Sequence, residues 1–345
     1  MSGLSPLDVE YVLPLKWTAR EDPYELTAYL RLLSNWLDVT VVDGSDREAF
    51  DSHRRLWTSW VRHMPPEPRP GRNGKVAGVV TGVRAARHEF VIIADDDVRW
   101  DRAGLERAVA LLADSDLVRP QNVFSSLPWH ARWDTARSLV NRAFGADYPG
   151  TYALRRSSFE AAGGYDGDVL FENLEMSRTL LAVGGRETSA ASLFVRRIPP
   201  TTRHFLGQRT RQAYDDLAQP ARLVAEAALL PIGLLLLTGL RRNGRRPGRA
   251  APLPLLAAVL GSVALGEIGR RRQGGRAVYP PTAALWTPLW LAERACCVWV
   301  AIVHRLLGGM PYGGRRIRVA AHSNRQLRSQ FTSPLKGRLK RRSLR

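Results

Sequence analysis

Cysteine is almost missing from this 345-residue chain. The two present, Cys296 and Cys297, are adjacent and sit inside an apolar stretch. That excludes a disulfide framework and a paired-cysteine metal site, and it fits a reducing compartment for the polar part of the chain. The first ten residues, Met1 to Glu10, lack an apolar run of signal-peptide length, so the first domain is expected to stay unexported. Acidic residues nearly vanish from the last two-fifths. Residues 1–204 hold 26 basic and 27 acidic residues, net −1, whereas residues 205–345 hold 25 basic and 5 acidic, net +20. A nucleic-acid-binding protein would carry its basic surplus on the soluble portion, and no nucleic-acid partner is expected here. The surplus instead interrupts apolar runs, a pattern of attraction to an anionic membrane surface.

What the chain does have is Phe90-Val91-Ile92-Ile93-Ala94, an apolar run of strand length that ends in Asp95-Asp96-Asp97. Strand side chains alternate, so Asp95 and Asp97 are expected on one face and Asp96 on the other. Three like charges repel unless a cation or hydrogen bonds answer them. Two carboxylates at the C-terminal end of a parallel strand suit a hard divalent ion such as Mg²⁺, which takes diphosphate oxygens as further ligands. A charged loop after a core strand is the alternative, and the flanks weigh against it.

Glu10–Pro14 reads as a first strand. Asp22-Pro23 with Glu25 has the spacing of a capping box, followed by Leu26, Tyr29, Leu30, Leu33, Trp36 and Leu37 at helical spacing. Val39–Val42 is a second strand, ending in Asp43-Gly44-Ser45-Asp46. A helix carries Leu56, Trp57, Trp60 and Val61. Residues 65–74 form a loop by composition, and a helix with Val76, Val79, Val80 and Val83 leads to the strand at 90–94. Alternating strands and helices predict βαβ units and a parallel sheet, with ligands beyond the carboxyl ends of its strands. Further on, Asp101 can cap a helix through Leu112. Residues 116–123 and 150–154 read as strands, 127–145 as a helix and Gly163–Asp166 as a turn. Glu172 to Val183 reads as a helix whose early acids suit its dipole.

Three apolar runs follow: Leu223–Leu240, Ala251–Ile268 and Ala277–Val303. Each is near the lower limit for a membrane span. Arg241, Arg242, Arg245, Arg246 and Arg249 follow the first, and Arg270, Arg271, Arg272 and Arg276 the second. Because two clusters cannot both satisfy the positive-inside tendency if both runs span, the third run, with Pro breaks and Glu293-Arg294, is expected to be re-entrant or interfacial. That leaves the first two as a hairpin. The expected division is 1–220 for a catalytic domain, 221–312 for membrane helices and 313–345 for a basic tail.

These residues resemble glycosyltransferase family 2. Val41–Asp46 is similar to its VVDDGSxD segment, shorter by one Asp. Gly74-Lys75, the helix after it and Phe90–Asp97 resemble the path into its DxD motif. Gly163–Asp166 followed by Glu172-Asn173 resembles GGFD…ED, Gln208–Gln212 resembles QxxRW, and Tyr312–Arg316 resembles the stretch after the last membrane segment of membrane-bound members. The resemblance runs from residue 8 to about 318. It implies an α/β GT-A fold, a Rossmann-like nucleotide-binding domain followed here by C-terminal membrane helices. It also implies an inverting hexosyl transfer from a nucleotide sugar, UDP-linked by family habit, assisted by Mg²⁺ or Mn²⁺. By motif position, Asp97 is the first metal ligand and Asp95 contacts metal or ribose. Asp43, Lys75, Gln208 and Arg211 fall at nucleotide-sugar-binding positions, the Arg suited to diphosphate oxygens.

The family's base is the Asp of ED, and here Asn173 stands in its place. Glu172 or Glu175 must serve instead, and Glu172 is favoured because it matches the motif's first residue. The Trp of QxxRW is Gln212, which argues for a single transfer rather than processive synthesis. The expectation is therefore a membrane-associated transferase with its catalytic domain on the cytoplasmic side of the cell membrane and a lipid or polyprenyl-linked acceptor. A polysaccharide synthase and a degenerate scaffold that binds nucleotide sugar without turnover are the alternatives.

Overall fold

The computed structural model describes residues 6–242 and 253–332, with side chains described outside 236–242. The Arg241–Arg249 cluster and the tail beyond 332 thus lie outside the described side chains. Two compact units result, neither continuous in sequence: residues up to 122, 148–197 and from 312 form the first, and 123–147 and 198–311 the second. The expected boundary at 220 falls inside the second unit. In the structure Trp129–Phe144 and Thr202–Asp215 group with the apolar helices.

The first unit is built on eight strands: β1 (Val9–Leu15), β2 (Asp38–Asp43), β3 (Arg62–Met64), β4 (Phe90–Ala94), β5 (Val98–Arg99), β6 (Leu117–Phe124), β7 (Thr151–Arg155) and β8 (Glu187–Arg197). Their order is β3-β2-β1-β4-β7-β6-β8-β5. β1, β2, β3 and β4 run parallel, with Leu13 opposite Val41 and Val12 opposite Ile93. β7 pairs antiparallel with both β4 and β6, and β5 antiparallel with β8. The sheet is therefore mixed where alternation of elements suggested a parallel one.

Period-two alternation sorts the strand residues into two cores. Tyr11, Leu13, Val39, Val41 and Ile92 pack on one face with Leu26, Leu30, Leu33 and Trp57. Val12, Val91 and Ile93 pack on the other with Val76, Val79, Val80 and Val83 of helix Gly74–Ala85. Each fully buried aliphatic side chain is worth about 1.5–3 kcal/mol. β4 has no solvent face, which is why its sequence is apolar throughout.

Asp46 and Asp101 cap helices Arg47–Trp57 and Arg102–Leu111, accepting from Ala49 N at 2.9 Å and Gly104 N at 2.7 Å. The Asp22 capping box does not form. Helix Tyr24–Ser34 begins a residue later, without a side-chain cap, and Glu25 instead pairs with Arg99. Val61 was expected in a helix, but the chain has already turned there toward β3.

The second unit is helical. Its long members are Trp129–Phe144, Thr202–Asp215, Pro220–Arg242, Leu253–Arg271 and Thr287–Leu306. Leu253–Arg271 buries Ser262, Gly266, Gly269 and Arg270 while Leu253, Leu255, Leu256 and Leu260 are exposed. Buried Arg294 pairs with Asp216 at 3.4 Å, and Arg209 with Asp134 at 3.1 Å. The unit thus buries polar and charged groups beside apolar ones such as Trp290 and Val298, and leaves large leucines exposed. A Cβ on Gly269 would lie 1.8 Å from Leu139 O, so a glycine is what lets this helix pack on Trp129–Phe144. Among the described residues, Leu253–Ala277 and Pro281–Leu306 are long and apolar enough to cross a membrane. The third run, expected to be interfacial, thus has the dimensions of a span once its Pro280-Pro281 break is left at the N-terminal end.

Candidate active site

The site in the first unit begins where β4 ends. The strand stops at Ala94, and Asp95 to Val98 make a turn closed by Val98 N to Asp95 O at 3.1 Å. Strand alternation therefore does not set the three carboxylates, and each has a different partner. Asp95 takes Lys75 Nζ at 2.5 Å. Asp96 accepts from the Trp17 indole. Asp97 Oδ2 accepts from Arg197 Nε at 2.7 Å, and Asp97 Oδ1 is buried with no hydrogen-bond partner.

Gly150 makes room for Asp95. Its carbonyl accepts from Asp95 N at 2.8 Å, its N–H donates to Asn122 Oδ1 at 2.7 Å, and a Cβ there would lie 2.5 Å from Asp95 Oδ2. Burial pushes the Asp95 carboxyl up, with Asp97 adding to the rise and Lys75 opposing it. The two carboxylates thus act on one another electrostatically, each also answered by a cation of the protein, Lys75 or Arg197.

Lys75 stands on the first turn of helix Gly74–Ala85, capped by Asn73. Asn73 is itself fixed by Val169 O at 3.1 Å and the Tyr312 hydroxyl at 3.2 Å. Lys75 Nζ also donates to Glu172 Oε1 at 2.7 Å. Burial would lower the ammonium pKa, but Asp95 and Glu172 together raise it far above the usual range, so Lys75 is charged at any working pH.

Glu172 opens helix Glu172–Ala182. Asn173 turns its amide away to donate to Pro149 O at 3.1 Å. A carboxylate there would face that carbonyl with no proton to offer. Glu175 is committed elsewhere: Oε2 accepts from His322 N at 2.7 Å and Oε1 contacts His322 Nδ1 at 2.9 Å. Of the two glutamates weighed from sequence, Glu172 is the one next to Lys75 and Asp95.

Asp43, expected at a nucleotide-sugar-binding position, has its own set of partners apart from the Asp95–Lys75–Glu172 chain. It is buried at the end of β2, with Oδ2 2.7 Å from His53 Nδ1 and 2.9 Å from His63 Nε2, and Oδ1 accepting from Ser45 N at 3.0 Å. Burial would raise its carboxyl pKa, but these hydrogen bonds outweigh it and hold the group well below the usual range. Both its oxygens are engaged by groups of its own unit.

Gln208 and Arg211 lie on helix Thr202–Asp215 of the second unit, both half-buried, with Gln208 Nε2 3.2 Å from His204 Nε2. The buried arginine of this helix is Arg209, over the Phe205 ring and beside Asp134. The structure thus gathers Lys75, Asp95, Asp97 and Glu172 in one unit, and carries Gln208 and Arg211 in the other. Sequence reading missed Arg197, because a pairing partner 100 residues from Asp97 has no local spacing signal.

Residues 60–186 match the family described as Glycosyl transferase family 21. The mannosyltransferase PcManGT from Pyrobaculum calidifontis, solved in complex with GDP-Man and Mn²⁺, aligns with a TM-score of 0.53 and 20% identity over 88% of each chain. Glucosyl-3-phosphoglycerate synthase from Mycobacterium tuberculosis, in complex with Mn²⁺, UDP and phosphoglyceric acid, aligns with a TM-score of 0.41 and 17% identity over 61% of this chain and 77% of that one. No curated protein matches the chain. The fold is GT-A, as the motifs implied, and the resemblance holds at the level of GT-A glycosyltransferases.

Proposed function

We propose that the protein is a divalent-metal-dependent, inverting glycosyltransferase that moves one sugar from a nucleotide-diphosphate sugar to a lipid or polyprenyl-linked acceptor at the cytoplasmic face of the cell membrane. The observation that carries this reading is the Asp95–Lys75–Glu172 chain at the end of β4 of a GT-A sheet, beside Asp97 with its unpartnered buried oxygen. The donor is a UDP- or GDP-sugar. UDP follows from the family 2 resemblance, and GDP-Man is bound by PcManGT.

Asp97 and Asp95 fit a hard cation: one buried carboxylate oxygen lacks a donor, and the two acids lie close enough to interact. Mg²⁺ or Mn²⁺ held there would neutralise the departing diphosphate. Glu172 takes the proton of the acceptor hydroxyl as its oxygen bonds to the anomeric carbon. The bond from that carbon to the diphosphate oxygen breaks, and the nucleoside diphosphate leaves. Lys75 orients Glu172 through its 2.7 Å hydrogen bond. For Gln208 and Arg211 a nucleotide-sugar-binding role rests on the motif resemblance alone. The lipid acceptor is supported by the exposed leucines of the second unit and by its two helices long and apolar enough to cross a membrane.

The test is incubation of nanodisc-embedded protein with labelled UDP- and GDP-sugars and a membrane lipid extract. Label is expected in the organic phase, with the anomeric configuration opposite to the donor's. Label confined to water-soluble products would contradict the lipid acceptor. Asn173 favours a second reading, a scaffold without turnover. It requires donor binding with no nucleoside diphosphate released.

A further inference from the structure

A second cluster of metal-ligating groups lies outside the catalytic constellation. Asp43 ends β2, His53 lies on helix Arg47–Trp57 and His63 lies on β3. One ligand atom from each falls within 4.8 Å of the others. Asp43 Oδ2 is the shared point, 2.7 Å from His53 Nδ1 and 2.9 Å from His63 Nε2. The Asp43 and His63 side chains are fully buried, and that of His53 is 3% exposed.

Both imidazoles aim a ring nitrogen at one carboxylate oxygen. Without a cation, both nitrogens carry hydrogen and donate to the same carboxylate oxygen. With one, the two imidazole lone pairs and the carboxylate oxygen would meet a single positive charge, all three ligand atoms lying within 4.8 Å of one another. Aromatic rings set this geometry in advance. Trp57 stacks on His53 with centroids 4.4 Å apart, Phe50 packs on His63 at 4.5 Å, and the Trp17 ring meets His53 edge-on at 5.8 Å. Apolar shells of this kind hold ligands in orientation and keep water out. Ser45 N anchors Asp43 Oδ1, so the carboxylate cannot rotate away.

We infer that Asp43, His53 and His63 form a transition-metal site, suited to Zn²⁺, distinct from the Asp95–Asp97 pair. Two neutral imidazoles and one carboxylate are the donor set of a borderline cation, whereas Mg²⁺ prefers oxygen alone. The site ties β2, the following helix and β3 together beneath the strand ends, which gives it a structural role. It does not depend on the proposed transfer reaction.

The experiment uses the full-length protein in nanodiscs, stripped with chelator and titrated with Zn²⁺ alone against a chromophoric competitor. One Zn²⁺ per chain is expected, retained in Asp97→Ala and weakened more than about a hundredfold in His53→Ala and His63→Ala. Cobalt substitution should give the intense visible bands of a tetrahedral site. Zinc X-ray absorption on the wild type, which needs no variant to fold, should show two imidazoles and oxygen at roughly 2.0–2.2 Å. Absence of stoichiometric Zn²⁺, equal binding in both histidine variants, or an absorption spectrum without imidazole scattering would overturn the assignment.

Discussion

Lys75 Nζ lies 2.7 Å from Glu172 Oε1, joining residues 97 apart in sequence, and the same nitrogen holds Asp95. One cation therefore stands between the group proposed to take a proton and a group proposed to hold the metal. Lys75→Ala would leave two largely buried carboxylates without their donor. A loss of about 1–3 kcal/mol in unfolding free energy is expected, together with a large fall in turnover. Lys75→Arg should restore the stability more fully than the turnover. Denaturant melts and nucleoside diphosphate release separate the two effects.

Glu172→Gln should lower turnover by about 10²–10⁴-fold with donor binding retained, the loss expected for a general base. Glu175→Gln should mainly destabilise, because Glu175 accepts from the His322 backbone. Asn173→Asp should gain no activity and should lose stability, since the Asn173 amide donates to Pro149 O. If Asn173→Asp instead raised turnover strongly, the base would belong at 173 and not at 172.

Gly150→Ala tests the turn beneath the metal ligands. Its methyl group would lie 2.5 Å from Asp95 Oδ2 and must displace the carboxylate. A shift on the order of 1 Å at such a site costs roughly 10²-fold in rate. The concentration of Mn²⁺ needed for half-activation should rise in parallel, with the circular dichroism spectrum unchanged. An unaltered metal requirement would mean that Asp95 does not contact the cation.

The buried tyrosines set the behaviour in alkali. Burial raises the phenol pKa values of Tyr11, Tyr152 and Tyr165, and pushes Tyr29 up to about 12. Exposed in the unfolded chain, each titrates near 10. Their contribution to stability is therefore complete below about pH 10 and is lost as pH rises through the folded values. Phenolate absorbance recorded alongside far-UV circular dichroism should show at least these four of the nine tyrosines silent until the fold is lost. Ionisation of all nine near pH 10 with an intact spectrum would contradict the packing described.

The legible parts of the molecule were those with a local cause. β4 was readable because a strand buried on both faces must be apolar, and the acids at its end mark where it leaves the core. Asp46 and Asp101 are N-caps on helices that do form. What escaped detection rests on distant partners. β3 is three residues long, too short for periodicity. β8 carries Thr188, Ser189, Ser192 and Arg196 in a pattern that alternates poorly, yet it delivers Arg197 to Asp97. His53 and His63 stand ten and twenty residues from Asp43 on different elements, where no spacing rule connects them. The segment after the apolar helices returns to the first unit, with His322 on Glu175 and Phe171 N donating to Ala320 O at 2.8 Å. Composition alone made it a basic tail.

The central claim is that Asp97 holds the cation on which transfer depends. The most direct test is nucleoside diphosphate release from a panel of UDP- and GDP-sugars with Mn²⁺ or Mg²⁺, comparing the wild type, the chelated wild type and Asp97→Ala. The account predicts release from one donor, abolished by chelator, restored by added metal and absent in Asp97→Ala. Release that persists in Asp97→Ala, or that ignores chelation, would contradict it.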